Sequence, residues 1–115
     1  MADDNRLALD KKIRAFMKSI DQNIETNVYF QPPESIQLKY PCIVYDYSRP
    51  DLRYANNNPY KVSQRYDVTI IDRDPESEIV KQFIFFGPTV SFNSRFIRDN
   101  LRHTIFTLYY YNSKE

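Results

Sequence analysis

Between Tyr60 and Pro88 the hydrophobic period changes once, and that change limits the chain to folds in which a strand feeds a short helix. Tyr60, Val62, Tyr66, Val68 and Ile70 share one parity, while Lys61, Ser63, Arg65, Asp67 and Thr69 share the other, as in a half-buried strand. Gln64 on the apolar side and Ile71 on the polar side are the exceptions. After Ile71 the run Asp72-Arg73-Asp74-Pro75-Glu76-Ser77-Glu78 predicts a helix start. Asp74 is the expected cap, Pro75 the first helical residue, and Glu76 and Glu78 suit the positive helix end. The helix is expected to reach about Phe85, with Ile79, Val80, Phe83 and Ile84 broadly on one side. Gly87-Pro88 then stops it, Gly87 as a left-handed cap and Pro88 as a residue that forbids continuation.

The rest of the chain supplies partners for this unit. Asp3 and Asp4 can open a helix in which Leu9, Ile13, Phe16, Met17, Ile20 and Ile24 recur at spacings of three and four. Arg6, Lys11, Lys12, Arg14 and Lys18 lie mainly off that stripe, so the helix packs on a sheet and shows water a basic face. Val28-Tyr29-Phe30 is a short strand candidate, closed by Gln31-Pro32-Pro33 because proline has no amide to give a ladder. From Tyr40 to Tyr47 both parities are apolar, as in a strand covered on two faces, one of them by another subunit. Val90, Phe92 and Phe96 alternate with Thr89, Ser91, Asn93 and Arg95, and a last strand runs from Thr104 to Tyr111. Asp99-Asn100 forms the hairpin turn between them. The expected fold is a single α+β domain over residues 1–115: an N-terminal amphipathic helix and a second short helix on a mixed or antiparallel sheet of about four to five strands.

Composition excludes more than it identifies. Sixteen Lys and Arg against fifteen Asp and Glu give a net charge of +1, which argues against nucleic-acid binding through bulk charge. Tyr45, Tyr47, Arg49, Arg53, Tyr54, Tyr60 and Arg65 are numerous enough for a single-strand platform, but Asp46, Asp51 and Asp67 are interleaved with them. Ten Tyr, eight Phe and one Gly describe a β-rich chain, and Tyr enrichment also suits protein interfaces. The single cysteine, Cys42, sits in an apolar run without basic neighbours and reads as an inert buried thiol in a reducing compartment. No apolar run approaches the roughly 20 residues of a membrane helix, so a soluble cytosolic product is expected.

Catalytic constellations are weak. Asp72, Asp74, Glu76 and Glu78 could hold a divalent cation, but Arg73 interrupts them and helix capping already explains acids around Pro75. His103 is the only histidine and reads as a turn or edge residue, and Ser91 or Ser94 with His103 and Asp99 lacks a strained nucleophile turn. No enzymatic activity, cofactor or metal is therefore expected. The polar stretch from Ser48 to Pro59 is long for a connection in a compact domain, and such loops often carry function. Arg49, Asp51, Arg53 and Tyr54 in that loop, with Tyr45 and Tyr47 on the preceding strand, are the expected subunit or partner contacts, the alternative being a plain connector.

Four strings in order carry a resemblance: Tyr40-Pro41-Cys42-Ile43-Val44-Tyr45; Arg53-Tyr54-Ala55-Asn56-Asn57-Asn58-Pro59-Tyr60; Tyr66-Asp67-Val68-Thr69-Ile70-Ile71-Asp72-Arg73-Asp74-Pro75-Glu76-Ser77; and Asp99-Asn100-Leu101-Arg102-His103-Thr104-Ile105-Phe106-Thr107-Leu108. From about Tyr40 to Tyr111 the chain resembles the tail terminator and head-to-tail joining proteins of long-tailed phages and prophages. The resemblance implies a small α/β protomer that assembles as a ring, usually a hexamer, at the head-proximal end of the tail tube. Such a ring ends tube polymerisation and meets the head completion or connector protein, and DNA passes through its lumen without sequence-specific binding. It also implies a place in the virion tail after assembly in the host cytoplasm, with no membrane and no catalytic residues. The other class kept open is a small nucleic-acid-binding or metal-dependent phosphoryl-transfer protein.

Overall fold

A computed structural model describes residues 2–48, 64–87 and 89–110. Helix α1 (Ala2–Ile20) runs into a short 3-10 turn (Gln22–Ile24), then strands β1 (Val28–Phe30), β2 (Cys42–Tyr47) and β3 (Gln64–Asp72), helix α2 (Glu78–Phe83), and strands β4 (Val90–Arg98) and β5 (Leu101–Tyr110). The five strands form one mixed sheet in the order β1-β2-β3-β5-β4. Only β1 and β2 run parallel, and every other neighbouring pair is antiparallel. The fold is α+β, with the helices against one face of the sheet.

The apolar stripe of α1 does what its spacing predicts: Leu9, Ile13 and Met17 are fully buried, and Phe16 and Ile20 pack at its margin. At roughly 1.5–3 kcal/mol for each large apolar side chain removed from water, this face alone holds α1 on the sheet. Beneath it lie Ile43 and Tyr45 of β2, Tyr66, Val68 and Ile70 of β3, and Phe106 and Leu108 of β5. Cross-strand register aligns them, with Tyr45 opposite Val68 and Val68 opposite Phe106. Phe83 of α2 closes the layer, its ring 5.4 Å from Phe16 and 5.2 Å from Phe106. Residues Tyr60 to Ser63 of the expected strand lie outside the described residues, while the parity from Arg65 onward is observed.

Three local readings are corrected. The helix after β3 starts at Glu78 and its cap is Ser77, whose Oγ accepts from Val80 N at 3.4 Å. Asp74 does not cap it: Asp72 Oδ1 accepts from Asp74 N (3.0 Å) and Asp74 Oδ1 accepts from Glu76 N (2.9 Å). Two consecutive aspartate turns therefore use the carboxylates before the helix begins, and Pro75 belongs to the turn. Gly87 is not left-handed, because α2 ends at Ile84 in right-handed geometry and no glycine has positive φ. Finally, Phe92 and Phe96 do not share a face. Phe92 pairs with Phe106 and Ser94 with Ile105, so Asn93 is an extra residue and the parity inverts across it. Phe92, Arg95 and Ile97 face the helix side, and Phe96 and Arg98 face the other.

The last two strands do form the expected hairpin. Asp99 and Asn100 both have positive φ, 54° and 64°, the mirror-image turn whose twist matches paired strands. Both residue types tolerate that backbone because their short polar side chains bond locally.

Candidate functional site

Tyr45, expected at an interface, is fully buried. Its hydroxyl donates to Asp10 Oδ2 of α1 and accepts from Arg6 Nη1 at 3.3 Å. Asp10 Oδ1 in turn accepts from Arg14 Nε at 2.5 Å, and Arg14 Nη2 reaches Val28 O at 3.1 Å. Burial, followed by the hydrogen bond to Asp10, pushes the Tyr45 phenol above its ordinary value. This network ties α1 to β1 and β2, so Tyr45 holds the protomer together and does not present a surface. Tyr47 is half-buried, stacked on Tyr66 at 5.4 Å and edge-on to Phe30 at 5.2 Å. The tyrosine enrichment is thus partly spent inside the fold. Arg49, Asp51, Arg53 and Tyr54 lie outside the described residues.

The open surface lies elsewhere. Strand β4 is the outer strand of the sheet, with no strand beyond it among the described residues. Its outward backbone groups are those of a nine-residue edge. Phe92, Phe96 and Ile97 on it are 61%, 40% and 63% exposed, and Phe85, just after α2, is 79% exposed. On one side of the strand Phe96 stacks on His103 at 4.6 Å with Arg98 over its ring. On the other, Arg95 and Ile97 border a cleft of about 460 Å³ whose far wall is Val80 and Lys81 of α2. The opposite edge is different in kind. Strand β1 has three residues, its Val28 carbonyl is occupied by Arg14, and two prolines follow closely.

The sequence had pointed away from β4, because parity counted through Asn93 put Phe92 and Phe96 together as one inward face. The signal was the adjacent pair Phe96-Ile97 between Arg95 and Arg98, where one apolar residue must face out whichever way the strand turns.

The chemistry-bearing groups are tied up structurally. Burial, with a smaller contribution from the Asp72 charge, pushes the Cys42 thiol up to about 12, so at neutral pH it is no nucleophile. His103 lies within β5, which begins at Leu101, and so belongs neither to a turn nor to the sheet edge; its Nδ1 is 3.2 Å from Leu101 O. Among the described residues no three Asp, Glu, His or Cys side chains converge as metal ligands. No helix among them is long and apolar enough to cross a membrane. Comparison with protein-family models, with curated proteins and with solved structures gave no match.

Proposed function

We propose that this protein is a structural ring subunit that ends a phage tail tube at its head-proximal end and joins the tail to the head connector. The observation that carries this reading is the edge strand β4, beyond which no strand lies among the described residues, with its exposed Phe92, Phe96 and Ile97. Soluble proteins protect long edges with charge, proline or a covering element, and an edge with three exposed apolar side chains is expected to be covered by a partner. The four ordered strings that resemble tail terminators supply the kind of assembly, and the α+β protomer suits it. In this reading the protein is no enzyme and needs no cofactor. Its partners are other copies of itself, usually six in a ring, the tail tube protein and the head completion protein, and DNA threads the lumen.

Purified protein examined by light scattering and negative-stain imaging is expected to show a closed ring in the absence of nucleic acid. A monomer at all concentrations, or salt-sensitive DNA binding with divalent-dependent cleavage, overturns the proposal.

A further inference from the structure

The cleft between α2 and β4 has charges of both signs, and they are sorted by position. Arg95 of β4 is opposite Thr104, and Arg102 of β5 is opposite Ile97. The two arginines are therefore diagonal neighbours on the helix side of the sheet, about 7–8 Å apart. Both line the cleft. Its carboxylates come from the end of β3, Asp72, and from the turn that feeds α2, Asp74 and Glu76.

The carboxylates are engaged within their own segment, and the arginines do not close on them. Asp72 and Asp74 accept from the backbone amides of Asp74 and Glu76, and Glu76 Oε1 is 3.8 Å from Lys81 Nζ. Arg102 Nη1 donates to Arg73 O at 3.0 Å, which leaves most of its fork of donors unused. Arg95 has no hydrogen bond or ion pair among the described residues. Two guanidinium groups thus line one cleft without a carboxylate partner among those residues, where a bidentate acceptor would fit.

The balance of charge decides the class of ligand. Lys81, Arg95 and Arg102 equal Asp72, Asp74 and Glu76 in number, so a polyanion meets three carboxylates and a metal ion meets two arginines. Only a ligand carrying both signs is answered throughout. The cleft, at about 460 Å³, also has apolar walls in Val80 and Ile97, and it does not end there. Ile84 is one helical turn beyond Val80, and Phe92 shares the Arg95 side of β4; they are 53% and 61% exposed. An apolar trough therefore leads away from the charged end, which suits a chain better than a compact molecule. We infer that the cleft binds an extended peptide segment of another protein, in which an acidic and a basic side chain flank an apolar one. The acidic side chain lies on Arg95 and Arg102, and the basic one on the carboxylates of Asp72 and Asp74. This goes beyond the ring reading and does not rest on it.

The test titrates the full chain, labelled at methyl groups and arginine side chains for NMR, with the blocked tripeptides Glu-Leu-Lys and Lys-Leu-Glu. One of the two orders is expected to move the Arg95 and Arg102 side-chain signals and the Val80 and Ile97 methyl signals along one saturating curve. Blocked Glu-Leu-Glu, Lys-Leu-Lys and Gln-Leu-Gln should bind at least about fivefold more weakly. Arg95→Gln, at an exposed position where folding is not at stake, should weaken the preferred peptide by about fivefold or more. Arg98→Gln removes the same charge from the same strand on its opposite face, and should leave the affinity unchanged.

Cleft signals that stay still with both mixed-charge peptides up to about 10 mM, where weak ligands are still detected, overturn the inference. So do equal affinities for the neutral peptide, or equal losses from Arg95→Gln and Arg98→Gln. Inorganic phosphate or duplex DNA that moves the same signals more strongly makes the cleft a polyanion site and overturns it as well. Rings without peptide binding leave the ring reading standing, and a monomer that binds as described leaves this inference standing.

Discussion

Replacing Tyr45 by Phe removes one hydroxyl and almost no volume, and so asks what the phenol contributes. In the structure it gives its proton to Asp10 and receives a bond from Arg6 at 3.3 Å, in a site from which Tyr45 itself is fully excluded from water. Hydrogen bonds to charged groups contribute about 1.5–3 kcal/mol each. Asp10 keeps Arg14 at 2.5 Å after the substitution, and its side chain is 16% exposed, so water replaces part of the loss. The net cost should fall to about 1–2 kcal/mol, which for a domain of this size lowers the melting temperature by roughly 3–8 °C. Asp10→Ala should cost more, about 2–3 kcal/mol, because it leaves the buried phenol without an acceptor and removes the counter-charge of Arg6 and Arg14. The two are in one network, so Tyr45→Phe made in the Asp10→Ala background should cost much less than in the wild type, a coupling of about 1 kcal/mol. Urea midpoints at one fixed protein concentration measure all three variants, since assembly would otherwise add a concentration-dependent contribution. Tyr45→Phe with wild-type stability, or costs that simply add, would refute the account of α1 being tied down through this hydroxyl.

Other outcomes are expected from single sites. Ser77→Ala should cost about 1 kcal/mol through loss of the helix cap, with Asp74→Ala costing less, and the reverse order in chemical denaturation would restore Asp74 as the cap. Gly87→Ala should leave stability unchanged or raise it by about 0.4–1 kcal/mol, because Gly87 lacks positive φ and nothing lies within 4 Å of an added Cβ; a marked fall in melting temperature would count against that geometry. Burial raises the folded-state values of both Cys42 and Tyr45, so the unfolded chain loses these protons first as pH climbs. The stability they provide is complete below about pH 9 and declines above it, by about 1.4 kcal/mol per pH unit for Cys42 until its folded value is reached. Cys42→Ala should flatten the start of that decline in melting curves taken from pH 8 to 11.

The regular parts of this fold were legible because their side chains repeat. The stripe Leu9-Ile13-Met17 and the alternation Tyr66-Val68-Ile70 each report one buried face, and both are found buried. The turn Asp99-Asn100 was legible because few residue types accept its backbone. What parity could not show was an interruption of parity itself: Asn93 inverts the faces of β4, and no local composition announces a bulge. The helix start failed for a related reason. Asp72, Asp74 and Ser77 can all cap, and which one does depends on how far β3 extends before the chain turns. Tyr45 was misplaced because Tyr is amphipathic: it was read as surface, yet a buried phenol is satisfied when a helix carries an acid in reach, here Asp10 from 35 residues away.

The extra residue in β4 has a bearing on how this chain could drift. Phe92 and Ser94 already sit against consecutive residues of β5, Phe106 and Ile105, and Asn93 adds only a bond from its Nδ2 to Thr107 Oγ1 at 3.3 Å. Losing Asn93 would straighten the strand and leave every remaining cross-strand partner and every face as it is. Losing Ser94 would do the same, with Asn93 taking its place opposite Ile105, whereas losing Ile97 would move Phe96 opposite Arg102 and turn it to the helix side. Strand β4 thus has a two-residue window, Asn93 and Ser94, where a deletion is silent in register. Among lineages descended from this sequence, a single-residue gap at 93 or 94 is the length change the edge strand can absorb.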